Sequence, residues 1–279
     1  MCPPTRPSGP PGDVMRPLRH RGPGEPWEPV RRAVAKHGTC VVYALVDEWL
    51  PRVPDPLALA ADLGPDHARF VRMPASRNRD RFLASRLLLK SAAGAVLGTR
   101  PRELELAYKP GGRPFLRGID LLDVGLSHTD GLLVVGLTRL GRIGVDTEPA
   151  DRRMLELGTE LKACTPYELE ALEQVPEERR NRELVRLWTL KEAYSKAIGQ
   201  GLRFRFTEFG FGPRDRRVRM LRPDGTPGTG QEWAFHSWLV EDAYTVSAAV
   251  YDPGFGDRQD PRPGLPLLPV LSDPRSSAS

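Results

Sequence analysis

Leu121-Leu122-Asp123-Val124-Gly125-Leu126-Ser127, the turn Thr129-Asp130-Gly131, Leu132-Leu133-Val134-Val135-Gly136-Leu137-Thr138, a turn at Gly141 and Arg142-Ile143-Gly144-Val145-Asp146-Thr147-Glu148 read as a three-strand meander. Apolar and β-branched runs bounded by Gly and Asp are strand signals, and the middle run is apolar at every other position on both sides, so it is expected to be covered on both faces. The two-residue period puts Asp146 and Glu148 on one face of the third strand, with Val145 and Thr147 on the other.

Upstream, Thr39–Val46 reads as a buried strand. A helix is expected near Asp80–Leu97, where Phe82, Leu83, Leu87, Leu88, Leu89 and Val96 give a broad apolar face that carries Arg81, Arg86 and Lys90. Downstream, Thr165-Pro166-Tyr167-Glu168 is a capping box with proline at the first helical position. A second long helix runs from about Asn181 to Ile198 and stops at Gly199. Phe204–Phe211, Trp233–Val240 and Tyr244–Tyr251 read as strands, the last two joined at Glu241-Asp242. The recurring order of helices and strands predicts an α+β fold of two similar halves meeting near residue 140, although the halves share order and not sequence.

Of the 279 residues, 39% are hydrophobic and 28% charged, a globular balance that disfavours collagen, coiled coil and wholesale disorder. Prolines and arginines crowd residues 1–35, which read as a flexible arm, and residues 253–279 read as a disordered Pro/Ser-rich tail. That leaves a body divided into 36–140 and 141–252; Met15 leaves open a later start. With no run of roughly 18 apolar residues and no signal-peptide core, a cytoplasmic protein without membrane contact is expected. Three widely spaced cysteines (Cys2, Cys40, Cys164) form no metal or redox motif and are expected to be reduced. The net charge of +5 suits an acidic partner, a phosphorylated ligand or nucleic acid. Only six lysines accompany the many arginines, and two of them, Lys191 and Lys196, lie five residues apart. That spacing raises the question of whether a compact ammonium is required there.

On the second helix Leu187, Leu190, Tyr194 and Ile198 form an apolar stripe, so Trp188, Glu192 and Lys196 share another face. Glu192 can therefore face Asp146 and Glu148. Three carboxylates from a strand end and a helix suit Mg²⁺, which completes its oxygen shell with water and substrate phosphates, and a lysine one turn along would meet those phosphates. The bland alternatives are an ordinary i, i+4 surface pair for Glu192 and Lys196 and a solvated strand end for Asp146 and Glu148; the whole set favours the site.

Ile143-Gly144-Val145-Asp146-Thr147-Glu148 together with Trp188-Thr189-Leu190-Lys191-Glu192-Ala193-Tyr194-Ser195-Lys196 resembles the paired G-[IV]-D-x-E and [FW]-[ST]-x-K-E-[AS]-x-x-K signatures of Sfp-type 4′-phosphopantetheinyl transferases. Asp80–Leu88, Gly112-Arg113-Pro114 (usually G-K-P) and Leu126-Ser127-His128-Thr129 agree in order, with Gly125 where asparagine is common. The resemblance implies a pseudo-dimer with its active site in the cleft between the halves. It implies transfer of the 4′-phosphopantetheine arm of coenzyme A to a serine of an apo carrier protein, releasing 3′,5′-ADP. Asp146, Glu148 and Glu192 would hold Mg²⁺, with Asp146, Glu192 and Lys196 catalytic and either Glu192 or a metal-bound water taking the serine proton. Arg81, Arg86, Arg113, His128, Lys191 and Lys196 would contact coenzyme A. Ser127 joins that set as a candidate, although it and Lys109 could equally be turn residues, and Trp188 reads as packing. Partners would be acyl or peptidyl carrier domains of polyketide, fatty-acid or nonribosomal peptide synthases, in secondary metabolism, and the enzyme would act as a monomer.

Two rivals come from other classes. A Mg²⁺-dependent nuclease or phosphodiesterase also uses Asp, Glu and Lys around phosphate, but Ala150 stands where its E-x-K lysine belongs. A nucleic-acid-binding module fits the charge, yet aromatics are 7% and neither zinc spacing nor an RNP-like block occurs, so no nucleic acid is expected.

Overall fold

Both long helices end where the sequence predicts, at Leu97 and Ile198, but begin about a turn earlier than the expected Asp80 and Asn181, at Arg77 and Glu177. In the computed structural model, which describes residues 16–50, 55–200, 204–212 and 218–254, α4 (Arg77–Leu97) starts at Ser76, whose hydroxyl accepts from Arg79 N–H, and stops at Gly98 with φ 71°. Helix α7 (Glu177–Ile198) stops at Gly199 with φ 76°, the left-handed conformation that glycine adopts without steric cost. Between them in the chain lie α5 (Glu160–Ala163) and α6 (Pro166–Glu173), the latter with the Thr165/Glu168 capping box formed. Ahead of α4 come α1 (Glu28–His37), α2 (Pro56–Leu63) and α3 (Asp66–Arg72). None of the helices among the described residues is long and apolar enough to cross a membrane.

The meander forms as read, as β5 (Asp123–His128), β6 (Leu132–Thr138) and β7 (Arg142–Pro149), but it is split between two sheets. The first sheet has the order β1-β2-β6-β5, where β1 is Leu18–Arg19 and β2 is Thr39–Leu45; β1 pairs parallel to β2 and the rest are antiparallel. The second has the order β10-β11-β7, from β10 (Trp233–Val240) and β11 (Tyr244–Tyr251), all antiparallel. Glu241 and Asp242 both take positive φ in the turn that joins them, the geometry that matches strand twist in a tight hairpin. Two small pairs complete the strands: β3 (Leu106–Tyr108) with β4 (Pro114–Leu116), and β8 (Gly210–Phe211) with β9 (Met220–Leu221).

Alternation along the strands builds a layered body. Val41, Leu132 and Val134 of the first sheet meet Ile143, Val145, Val246, Ala248 and Val250 of the second. The other face of the first sheet packs on α1 and α4 through Val42, Leu133, Val135 and Leu137. The other face of the second sheet packs on α7 with a cluster of aromatics including Phe209, Phe211, Trp233 and Phe235. Gly144 lets α7 lie directly on β7: a Cβ there would stand 2.0 Å from Ala193 O. Gly136 serves the sheet-to-sheet contact, since its Cβ would come within 2.8 Å of the Ile143 and Val145 side chains.

Three expectations need correction. Residues 16–35 are not a flexible arm: β1 pairs with β2, Val30 and Val34 of α1 are buried, and His20 stacks on Trp27 with ring centroids 3.7 Å apart. Residues 1–15 and 255–279 lie outside the described residues. Phe204–Phe211 is not a strand but a 3₁₀ turn (Phe206–Glu208) followed by the two-residue β8. The Phe206 carbonyl accepts from Lys191 and the Phe211 N–H donates to Glu168, so buried side chains take hydrogen bonds that a ladder would have used. Finally, α7 is buried almost all round from Leu184 to Ala197 rather than on one stripe, because it is packed between the second sheet and segments from both before and after it in the chain, among them Met154, Cys164, Leu172, Phe206 and Phe209.

Candidate active site

The same alternation that sends Val145 toward the first sheet sends Asp146 toward α7. Asp146 is 5% exposed, and its Oδ1 accepts from Lys196 Nζ at 2.5 Å and from Ser127 Oγ at 2.9 Å. Lys196 Nζ also reaches Ser127 Oγ at 3.1 Å. One triangle thus joins β5, β7 and α7. Asp146 Oδ2 is buried without a hydrogen-bond partner, which is costly for an ionised carboxylate unless something else meets it.

Glu192 lies one turn before Lys196 on α7 and is 8% exposed. Burial first, then the negative charge of Asp146, raise its pKa to about 7, against the pull of Lys196. Glu148 is shifted upward for the same reasons, burial and then Asp146, while Arg152 pairs with it and opposes the shift. The three carboxylates therefore repel one another in a largely buried site. Among the described residues no three such side chains stand as a ready-formed ion cage; Lys196 and Arg152 hold two of the carboxylates instead. The donor set nevertheless fits a hard divalent cation. Two carboxyls with raised pKa values, Glu148 and Glu192, beside an orphaned buried oxygen on Asp146 are what such an ion would relieve.

From the first sheet, His128 stands at the end of β5. Desolvation first, then the charges of Arg86, Arg81 and Lys196, lower its pKa to about 4, so it is neutral at physiological pH. Arg81 pairs with Asp130 at 2.5 Å and lines a cleft of about 200 Å³ with Asp47, Arg77 and Asp80. Asp146, Glu148, Glu192, Lys196, Ser127 and His128 thus converge, with Arg81 at the rim.

Lys191, Arg86 and Arg113 do not present free charges there. At about 100° per residue, Lys191 and Lys196 point well apart around α7. Lys191 is fully buried and donates to Glu168 Oε2 at 2.5 Å, Ala163 O at 2.6 Å and Phe206 O at 2.7 Å. Arg86 is buried over the Phe82 ring, 4.0 Å from its centroid, and faces Asp66 at 3.5 Å, while Tyr108 O–H donates to the same carboxylate. Arg113 is bound to Asp123 and to backbone carbonyls. Sequence reasoning missed Arg152 and Asp130, the counter-charges of Glu148 and Arg81; neither lies in a motif, and only folding brings Asp130 to α4.

Residues 142–249 match the 4′-phosphopantetheinyl transferase superfamily, and the resemblance read from the paired motifs is borne out over that stretch. The chain is 34% identical over 154 residues to the 4′-phosphopantetheinyl transferase HetI of Nostoc sp. (strain PCC 7120), covering 52% of this chain and 62% of that protein. It is 30% identical over 187 residues to a phosphopantetheinyl transferase of Thraustochytrium sp. (strain ATCC 26185), covering 62% of this chain and 64% of that one. In each case the match spans a little under two thirds of the relative's length.

Proposed function

We propose that this chain, a member of the 4′-phosphopantetheinyl transferase superfamily over residues 142–249, moves the 4′-phosphopantetheine arm of coenzyme A onto a serine of an apo carrier protein. The observation that carries the reading is the convergence of Asp146, Glu192 and Lys196 with Ser127 across two sheets and a helix. The serine oxygen would attack the phosphorus that bears the pantetheine arm, and the bond to the leaving 3′,5′-ADP would break. Asp146, Glu148 and Glu192 would hold Mg²⁺, which when bound neutralises charge on the pyrophosphate oxygens. Glu192 is the candidate acceptor of the serine proton. Lys196 would exchange Asp146 for a phosphate oxygen when substrate enters, a role suited to a flexible point charge. Arg81 and neutral His128 would approach the nucleotide from the first sheet.

On this reading the two halves, which meet near residue 140 and of which the first takes in residues 16–35 as well as 36–140, act as the two lobes of a pseudo-dimer with the site in the cleft between them. The reading takes the enzyme as a monomer, since every group named comes from one chain. Its setting is the cytoplasm, where coenzyme A and the carrier domains of fatty-acid, polyketide or nonribosomal peptide synthases of secondary metabolism meet. The nuclease alternative is set aside, because Ala150 stands at the position its lysine requires. Incubating a panel of apo carrier proteins with coenzyme A and Mg²⁺ and weighing them intact tests the reading. A mass gain of one phosphopantetheine on a serine supports it; unmodified carriers across acyl and peptidyl types would sink it.

A further inference from the structure

We propose that Arg113 is a positioning residue that fixes the last turn of α7 and the entry of β7, and through them the Lys196–Asp146 pair. Its side chain is 8% exposed and reaches β5, β7 and α7 from the turn just before β4. Nε donates to Lys196 O at 2.9 Å, a terminal helix carbonyl that also accepts from the capping Gly199 N–H at 3.1 Å. One terminal nitrogen donates to Asp123 Oδ2 at 2.5 Å and to Ile143 O at 3.2 Å, and the same Asp123 oxygen accepts from Ile143 N–H at 2.8 Å. Arg113 therefore grips the backbone of Lys196 and, three residues ahead of Asp146, the backbone of β7.

The turn that delivers Arg113 is shaped for this approach. Gly111 and Gly112 take φ of 100° and 86°, a backbone that other residues rarely adopt, and the turn lies in ordinary contact distance of Gly199 O, just past the end of α7. A planar fork can hold carbonyl and carboxylate oxygens in fixed directions at once; a lysine ammonium at the end of its flexible stem cannot span Lys196 O, Asp123 and Ile143 O in the same way. Asp123 also neutralises the charge that a ligand phosphate would need.

This role rests on the transferase reading only for its effect on rate, so the test has a second arm. Arg113→Lys and Arg113→Met are compared with the unchanged chain by amide hydrogen exchange over 190–200 and 177–187, by coenzyme A binding, and by kcat and KM. Faster exchange is expected in 190–200 but not in 177–187 for both variants. A fall in kcat of about 10- to 100-fold is expected from the displaced lysine, with coenzyme A affinity and KM changed by no more than about twofold. If Arg113→Met unfolds, Arg113→Lys carries the comparison. Unchanged exchange in 190–200 would overturn the proposal. So would a loss of coenzyme A affinity in Arg113→Met that Arg113→Lys restores, since that marks a phosphate ligand. An inactive wild-type chain would defeat the transferase reading and leave the exchange arm to decide Arg113.

Discussion

Glu192 is the residue at which folding and chemistry pull hardest against each other. Its pKa rises from 4.5 to about 7, so the folded chain binds more protons than the unfolded chain between those values. Stability contributed by the protonated carboxyl is present below pH 4.5 and is lost as pH rises toward 7. Without divalent cation, Glu192→Gln should therefore be more stable than the unchanged chain at pH 8, by on the order of 3 kcal/mol, and nearly equal to it at pH 4.5. Urea midpoints at the two pH values measure this; equal midpoints at pH 8 would show that the carboxyl is not strained. Lys191 makes the opposite case. Breaking a buried pair by removing one partner costs about 3–5 kcal/mol, so Lys191→Met should lower the unfolding free energy by that amount while the KM for coenzyme A of whatever folds stays close to the unchanged value. A selective rise in that KM would return Lys191 to the phosphate site. Helix geometry alone separates Lys191 from Lys196, so this distinction was legible; the motif drew both into one role.

At the scale of elements, α6, the end of α7 and the meander were legible because each carries its own punctuation: the capping box at Thr165, the stop at Gly199, turns at Gly131 and Gly141, and a strict two-residue period at Asp146 and Glu148. The stretch 16–37 was not. Its prolines and arginines read as disorder, yet Pro29 sits at the start of α1, where it costs no hydrogen bond, and Val30 and Val34 recur at i, i+4 to reach the core. His20 packs against Trp27 and Trp49 through contacts that no local pattern announces. Deleting residues 1–37 should thus lower stability by about 3–6 kcal/mol from the two buried valines alone, visible as an earlier urea midpoint. Unchanged stability would mean that α1 is an ornament on the body. The Phe204–Phe211 reading failed for a related reason. Its aromatics suit a strand, but Glu168 and Lys191, distant in sequence, claim its backbone.

For the whole molecule, the site exists because two sheets face each other across glycines. Gly136 and Gly144 remove the side chains that would keep the sheets apart from each other and β7 from α7, and only then can Ser127, Asp146 and Lys196 meet. The residues of that triangle were visible in the sequence; the lysine's grip on Asp146 and the capture of Arg86 and Arg113 by internal partners were not, because they depend on which distant acids folding delivers. The central claim is that the carboxylates facing α7 drive the transfer with a divalent cation. The rate at which an apo carrier protein gains phosphopantetheine, followed by intact mass at saturating coenzyme A while Mg²⁺ is removed and restored, tests it most directly. The rate should collapse in excess chelator, return with Mg²⁺, and fall by at least about 10²–10³-fold in Asp146→Ala with the fold retained. An undiminished rate in chelator, or an Asp146→Ala variant that transfers as fast as the unchanged chain, would contradict the account.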